Sequence, residues 1–230
     1  MSGQLILLRH STSVWNRSGR FTGWSDLPLG ERDLEQAFAM GDRLAHRHIA
    51  FDAVHHSRLQ RTRQTAEVLL AGANHRPIPF HATWRLNERH YGQLQGMDKQ
   101  EIFGKWGEEK YRRWWRGYFE PPPPLDWEDS RHPRFDPLYA DLDPALLPAS
   151  ESLHDCQKRL LPYWSETIAP ALTAGNSLLV VSHGNTLRGL IMLLDRLDPA
   201  AIEKVEVPSG VPLRYRFDAQ LSVVGKEWLG

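Results

Sequence analysis

The chain has 230 residues, 41% of them apolar, which is enough for one large α/β domain or two small ones with a packed core. Its 28 Lys and Arg residues balance 28 Asp and Glu, whereas nucleic-acid-binding proteins usually carry a basic excess. An anionic ligand would therefore have to be held by a local cluster of cations. The single cysteine, Cys156, excludes an internal disulfide framework and favours a reducing compartment.

The sequence has no feature of a membrane or exported protein. No apolar run reaches the roughly 18 residues that span a bilayer. Residues 1–4 lack the basic and apolar regions of a signal peptide. We therefore expect a cytoplasmic protein that acts neither on a membrane nor on nucleic acid.

Hydrophobic periodicity predicts alternating strands and helices in the first third of the chain. Residues 4–8 form a short apolar run that predicts a buried strand, which ends at Arg9 and His10. The elements predicted next are a helix over about 31–48, a strand over 52–56, a helix over about 58–71 and a strand over 78–82.

The same alternation returns after residue 150. Apolar residues at helical spacing over 153–172 predict a long helix, which Pro162 bends or splits. Ser177–Ser182 is the clearest central strand, a helix follows over 187–194, and 211–217 predicts the last strand. We assign no pattern to the residues beyond Phe217. The whole predicts one three-layer α/β domain over 1–230, with a mostly parallel, doubly wound sheet flanked by helices.

Residues 117–150 interrupt this alternation. They contain four consecutive prolines at 121–124 and four more, and several of the nine tryptophans lie between Trp106 and Trp127. A loop of this length inside a compact domain is usually functional or disordered. We expect a Pro/Trp-rich lid or rim inserted into the domain, whose tryptophans cover a cleft or fill a core.

Two of the predicted strands end in histidine, at His10 and His183. Open α/β sheets bind ligands at the carboxyl ends of their strands, where helix N-termini favour anions. Two histidines with Arg9 beside one of them suit a phosphate better than a metal, because the carboxylate or cysteine partners of a metal site are not near in the sequence. We therefore expect a phosphate site and no metal.

Phosphoryl transfer needs a nucleophile, positive charge and a proton carrier. A neutral imidazole such as that of His10 is a good nucleophile. The transferring group spreads negative charge over three oxygens, which Arg9, Arg61 and a protonated His183 could stabilise. Glu88, within the WRLNERHYG segment at 84–92, is the carboxyl best placed to take and return the proton of an attacking hydroxyl.

Each of these residues alone has a plainer interpretation. A histidine at the end of a strand is more often a hydrogen-bonded loop residue than a nucleophile. Arg61 lies close to two other arginines at a helix start, which usually marks a solvated face. Glu88 could be a salt-bridge partner of Arg85 or Arg89. The residues point to phosphoryl transfer only when taken together.

Taken together, the motifs resemble those of the cofactor-dependent phosphoglycerate mutases, within the histidine phosphatase superfamily. The match runs in order from about residue 5 to about 218. The Arg9-His10 pair is shared by many phosphatases, but WRLNERHYG with the proline run is similar to the mutases' own signature. The other matching segments are Trp15-Asn16, RFTGW at 20–24, Glu151-Ser152, SHGNTLRG at 182–189 and PSGVP at 208–212.

The resemblance implies a role for each matching residue. His10 would carry the phosphoryl group, and Arg9, Arg61 and His183 would bind it and stabilise its transfer. Glu88 would be the general acid and base. The positions implied for substrate binding are Ser11, Ser13, Asn16, Thr22, Gly23, Arg89, Tyr91, Lys99, Trp115, Arg116, Gly184 and Asn185.

Three positions depart from the family pattern. Ser11 stands where the family usually has glycine, and Thr12 where many mutases have an acidic residue. Trp115 replaces the first arginine of a usual pair, for which Arg112 or Arg113 could substitute from a helical turn earlier. The departures at 11 and 115 bear on substrate affinity and choice more than on the phosphohistidine chemistry.

The resemblance implies the interconversion of 3-phosphoglycerate and 2-phosphoglycerate, with 2,3-bisphosphoglycerate as the cofactor that primes phospho-His10. The alternative is a phosphatase that hydrolyses a small phosphate ester through the same phosphohistidine. A third interpretation is a catalytically inactive binding protein. The family also implies a homo-oligomer, for which we expect a dimer.

Overall fold

Within residues 3–230, the strands form one mixed sheet of six strands. The computed structural model describes residues 3–230; Met1 and Ser2, on which the expectation of no signal peptide partly rests, lie outside the described residues. The sheet order is β3-β2-β4-β1-β5-β6, in which β1 to β4 pair in parallel and β5 and β6 antiparallel. The strands are β1 (Gln4–Arg9), β2 (Ala53–His56), β3 (Phe80–Ala82), β4 (Ser177–Ser182), β5 (Leu213–Phe217) and β6 (Val223–Trp228).

Helices cover both faces of the sheet, which confirms the three-layer prediction. The helices are α1 (Val14–Arg17), α2 (Glu31–His46), α3 (Gln60–Gly72), α4 (Lys99–Arg116), α5 (Leu153–Tyr163), α6 (Ala169–Thr173), α7 (Gly184–Leu194) and α8 (Pro199–Ile202). None of the helices within residues 3–230 is long and apolar enough to cross a membrane.

Alternate side chains of the central strands pack on opposite helix layers, as the two-residue period of a strand requires. Ile6 and Leu8 of β1 lie in one core cluster with apolar residues of α2 and α3. Leu5 and Leu7 lie in the other cluster with residues of α5, α6 and α7. Both faces of β1 are therefore buried, and only its end can present polar side chains to a ligand.

The register of the two central strands sets the position of the site. β1 and β4 are parallel neighbours in which Arg9 is aligned with Ser182. The next residue of each strand is a histidine, so His10 and His183 leave the sheet side by side at its carboxyl edge.

The predicted long helix over 153–172 is continuous but irregular. α5 contains Pro162, and a π-helical turn at Trp164–Ile168 leads directly into α6. Proline removes a helical hydrogen bond, and a wider turn is one way in which a helix accommodates that loss.

Four of these elements were not predicted, the short helices α1 and α8, the longer helix α4 and the strand β6. α4 contains Gly107 in the left-handed region (φ 78°), which divides its helical pattern. The tail beyond Phe217 forms β6, an edge strand with mostly exposed residues that pairs with β5. Backbone pairing rather than a buried face forms this strand, so its sequence carries little hydrophobic alternation.

The inserted segment 117–150 is ordered into short 3₁₀ turns at Pro133–Phe135, Pro137–Tyr139 and Pro144–Leu146. Proline fixes the first residue of each turn, and the side chain of the preceding residue caps it. Tyr139 and Leu147 pack with Trp24 and Trp84 in a separate apolar cluster. Through Trp84, the segment packs against the loop that contains Glu88.

Candidate active site

His10 and His183 form the buried centre of the site. Their ring centroids are 4.9 Å apart with the rings at 62°, an edge-to-face arrangement. The His10 N–H donates to the carbonyl of Ser182 at 3.0 Å, which ties the ends of β1 and β4 together. Both side chains are almost completely buried.

The hydrogen bonds of His10 fix its tautomer. Nδ1 lies 2.6 Å from the Ser11 carbonyl oxygen, which can only accept, so Nδ1 carries the ring hydrogen. Nε2 keeps its lone pair and accepts from Nε of Arg61 at 3.3 Å. Burial, followed by the charges of Arg61 and Arg9, holds the pKa of His10 well below its usual value. The imidazole is therefore neutral, with Nε2 as the nucleophilic atom.

This geometry predicts the titration behaviour of His10. Its ring should stay neutral, with the hydrogen on Nδ1, at the pH of about 6.5 where an ordinary histidine is half protonated. Two-dimensional NMR of the ring nitrogens of ¹⁵N-histidine-labelled protein measures both properties. A His10 signal that titrates with a midpoint near about 6.5 would contradict the assignment.

Arg61 is fixed beside His10 rather than on a solvated face. Its guanidinium is buried and donates to the carbonyls of Gly23 and Ser25, each at 2.8 Å. Burial lowers the pKa of Arg61 to about 10, so the group stays positive at neutral pH. Arg63, two residues further along α3, instead pairs with Glu67 at the surface.

His183 differs from the protonated group that we expected. Its Nε2 lies 2.8 Å from the hydroxyl of Ser57, which in turn contacts the Thr62 hydroxyl at 2.8 Å. Burial and the nearby charge of Arg61 hold the pKa of His183 well below its usual value, so the ring is neutral unless an anion binds beside it. The permanent positive charge of the site therefore comes from its arginines. Nδ1 of His183 has no hydrogen-bond partner within residues 3–230 and is free to bind a ligand.

Glu88 is held at the start of α7. Its Oε1 accepts from the backbone N–H of Arg89 at 2.8 Å and from that of Asn185 at 3.1 Å. Arg85 and Arg89 direct their guanidinium groups to backbone carbonyls, of Arg159 and of Trp114 and Trp115. A carboxylate that accepts from backbone amides at the edge of a pocket can exchange a proton with a bound hydroxyl.

The loop before Glu88 is fixed by a buried ion pair that the sequence analysis missed. Arg159 pairs with Glu151 at 2.6 Å. The same guanidinium donates to the carbonyls of Trp84, Arg85, Asn87 and Glu88. Glu151 also accepts from the backbone N–H of His90 at 2.9 Å. The pair thereby sets the path of the whole 84–90 loop.

A cavity of about 180 Å³ opens beside these residues. Five of the side chains that line it are cations, against two carboxylates, so an anion with several charges fits it. The lining residues are Arg9, Asn16, Arg20, Phe21, Thr22, Gly23, Glu88, Tyr91, Lys99, Trp115, Arg116, Gly184, Asn185, Arg188, Glu206 and Val207.

Some of the predicted site residues lie behind the cavity wall. His10, Arg61 and His183 are buried beneath residues that line it, as the Arg61–Gly23 bond shows. Ser13 caps α1 through Asn16, and Arg89 holds the end of α4. Of residues 117–150, all of which the structure describes, none lines the cavity. The lining of the cavity therefore does not support the lid role that we expected for this segment. Residues of α4 line the cavity instead.

Trp115 stands where the family pattern has an arginine, and its ring contacts two neighbouring cations. Its ring lies 4.4 Å from the guanidinium of Arg116 and 5.5 Å from Nζ of Lys99. Arg116 also pairs with Glu206. Arg113 binds Glu109 instead, and neither it nor Arg112 lines the cavity, so neither substitutes for the missing arginine.

Five lining residues were absent from the predicted set: Arg20, Phe21, Arg188, Glu206 and Val207. Arg20 and Phe21 lie in the RFTGW segment and Arg188 in SHGNTLRG, so their motifs were recognised but their roles were not. Glu206 and Val207 precede β5 in a loop without a recognisable signal.

Ser11 carries an unsatisfied buried hydroxyl. Its side chain is 2% exposed, and its Oγ has no hydrogen-bond partner in the described chain. Burial of an unpaired polar group costs about 1–3 kcal/mol. Ser11→Ala should therefore raise the free energy of unfolding by about 1 kcal/mol, measured by urea denaturation in phosphate-free buffer.

The matched control is Ser13→Ala, because the Ser13 hydroxyl accepts from the Asn16 N–H and caps α1. Loss of such a cap should lower the free energy of unfolding by about 1 kcal/mol. A comparable loss at Ser11 would show that its hydroxyl is bonded in solution.

Comparisons with known proteins agree with this geometry. The sequence profile of the histidine phosphatase superfamily (branch 1) matches residues 5–132 and 126–221. A 2,3-bisphosphoglycerate-dependent phosphoglycerate mutase of Nitratidesulfovibrio vulgaris (strain DSM 19637 / Miyazaki F) is 44% identical over 226 residues, 98% of this chain and 91% of that protein.

Solved structures share the fold at lower identity. Bacillus stearothermophilus YhfR is 23% identical with a TM-score of 0.72, covering 96% of this chain and 94% of its own. A mycobacterial glucosyl-3-phosphoglycerate phosphatase is 21% identical with a TM-score of 0.69, covering 98% and 95%.

Proposed function

The chain belongs to the histidine phosphatase superfamily, and from this membership we propose that it interconverts 3-phosphoglycerate and 2-phosphoglycerate as a 2,3-bisphosphoglycerate-dependent mutase. The observation that carries the proposal is the unprotonated Nε2 of His10, which contacts Arg61 and lies beside a small cavity lined by five cations. This arrangement supplies a nucleophile and charge for a small polyanion.

The first half of the reaction loads His10. Nε2 attacks phosphorus of 2,3-bisphosphoglycerate, and the bond from phosphorus to the sugar-acid oxygen breaks. Glu88 gives a proton to that leaving oxygen, so a phosphoglycerate departs and phospho-His10 remains. Arg9 and Arg61 offset the charge on the three equatorial oxygens during transfer.

The second half transfers the group to substrate. Glu88 takes the proton of the free hydroxyl of 3-phosphoglycerate, whose oxygen attacks phospho-His10 and releases Nε2. The resulting bisphosphoglycerate reorients in the cavity so that its other phosphate faces His10. His10 then takes that phosphate as in the first half. Glu88 then returns the proton, and 2-phosphoglycerate is left.

The cavity supports a polyanionic substrate of this size. Burial lowers the pKa of Lys99, but the side chain lies between Phe21 and Trp115, whose ring faces favour its charged form. Since the chain has no net charge, only such a local cluster can attract the ligand.

The second candidate function is a phosphatase, in which water takes the phosphoryl group from His10. It is favoured by one observation: no residue of the inserted segment 117–150 lines the cavity, so the residues that exclude water there would have to come from other elements.

Steady-state product analysis distinguishes the two functions. Purified enzyme is incubated with 3-phosphoglycerate, with and without 2,3-bisphosphoglycerate, and both 2-phosphoglycerate and free phosphate are measured. We expect 2-phosphoglycerate to dominate and its formation to need the primer. Dominant phosphate release would favour the phosphatase, and full activity that needs manganese but no primer would contradict the proposal.

The remaining expectations belong to the same proposal. We place the enzyme in the cytoplasm, to which a single buried thiol, Cys156, is suited. The whole chain is proposed to act as one mutase-like domain and to assemble as a homodimer.

A further inference from the structure

Arg188 lines the cavity but directs its guanidinium into the protein. It lies on α7, one helical turn after Asn185 in the first turn of the helix, and is 2% exposed. Nη2 donates to the carbonyls of Arg116 at 3.0 Å and Ile202 at 2.8 Å. Nη1 donates to Oδ1 of Asn185 at 3.0 Å. Arg188 thus joins the end of α4, the start of α7 and the end of α8.

The bond to Asn185 decides which way its amide faces. A guanidinium has only donors, so the Asn185 oxygen must face Arg188. The Asn185 NH₂ group then faces the opposite way, where Nδ2 donates to the Tyr91 hydroxyl oxygen at 2.9 Å.

The bond to Tyr91 in turn directs the phenol hydrogen. Because the Tyr91 oxygen accepts from Asn185, its own hydrogen must go elsewhere, and within residues 3–230 it meets no acceptor. The ring is fixed between Arg89, with Cζ 4.8 Å from its centroid, and Phe21, 4.9 Å away. Tyr91 lines the cavity, so a ligand oxygen there is the acceptor that remains.

We propose that Arg188 is a positioning residue for substrate binding, which acts through Asn185 to present the Tyr91 O–H as a donor to an anionic oxygen of the phosphoglycerate. The proposal rests on the proposed function. A charge-assisted first bond also polarises the bonds after it, which strengthens the last donor of the chain.

A double-mutant cycle tests the chain. Tyr91→Phe removes the donor and Arg188→Met removes the group that sets its direction. Each single variant should raise KM for 3-phosphoglycerate about tenfold, as for one hydrogen bond to a charged group, with kcat changed by less than about threefold. The double variant should be no more than about threefold worse in kcat/KM than Arg188→Met alone.

A purely structural role for Arg188 would instead give additive effects, about a hundredfold in the double variant, and that result overturns the proposal. The matched control is Arg58→Met with Tyr91→Phe, because Arg58 also holds a backbone carbonyl, that of Leu138, but shares no partner with Tyr91. This control cycle should be additive.

A second cycle does not depend on the folding of Arg188→Met. Asn185→Ala with Tyr91→Phe removes the middle of the chain and keeps the Asn185 backbone bond to Glu88. Non-additivity supports the proposal and additivity overturns it. If the unsubstituted enzyme forms no 2-phosphoglycerate, the proposed function fails by itself. The same double-mutant cycles are then measured as kcat/KM for phosphate release. Non-additivity again supports the proposal and additivity overturns it.

Discussion

His10→Ala should abolish formation of a phosphoenzyme and reduce mutase activity to background. Nε2 of His10 is the unprotonated ring nitrogen that accepts from the Arg61 guanidinium, so it combines a free lone pair with a fixed positive charge. Incubation with ³²P-labelled 2,3-bisphosphoglycerate, followed by denaturation at alkaline pH, measures the acid-labile phosphate that the chain retains. Labelling of His10→Ala at the unsubstituted level would contradict this role.

His56 provides a matched control. It ends strand β2, which lies on the other side of β4 from β1, and it has the same local geometry, since its Nδ1 lies 2.6 Å from the carbonyl of the next residue, Ser57. Its ring packs against Phe80 instead of between arginines. His56→Ala should therefore keep full phosphoenzyme labelling, which separates loss of the nucleophile from loss of a buried histidine.

Glu88→Gln should slow phosphoryl transfer by roughly two to four orders of magnitude, as for loss of a general acid and base. Glutamine keeps an oxygen that can accept from the Arg89 and Asn185 backbone amides, so the fold should be retained. Rapid-quench measurement of the transfer from phospho-His10 to 3-phosphoglycerate reports the chemical step directly.

A surface carboxylate serves as the control for this change. Glu67 pairs with Arg63 on the exposed side of α3, and Glu67→Gln should leave the transfer rate unchanged. A decrease of less than a few-fold at Glu88 would remove it from the acid–base role.

The sheet was largely predictable because its central strands are buried on both faces. Residues 5–8 and 178–181 are uninterrupted apolar runs, and the structure contains them in the adjacent strands β1 and β4. α4 and β6 escaped prediction for physical reasons. Gly107 breaks the helical pattern of α4, and β6 is an exposed edge strand formed by backbone pairing.

The candidate site was predictable where a motif placed a residue on a strand or helix end. His10 and His183 follow the ends of strands and Glu88 lies in the loop of the WRLNERHYG motif, and the structure brings the three together. The protonation of His183 was not predictable, because its burial and the approach of Arg61 arise only in the fold. The same holds for Arg188, which bonds the distant Arg116 carbonyl, and for Arg159, which bonds the carbonyls of the 84–88 loop far away in the sequence.

Transfer of the phosphoryl group from His10 to a phosphoglycerate rather than to water is the central claim, and one measurement tests it most directly. Enzyme labelled with ³²P on His10 is mixed with 3-phosphoglycerate, quenched on the millisecond scale, and the label is separated into bisphosphoglycerate, monophosphoglycerates and free phosphate. We expect nearly all of the label in the phosphoglycerates, appearing first in 2,3-bisphosphoglycerate. Label that passes directly and mostly into free phosphate would contradict the mutase and identify the enzyme as a phosphatase.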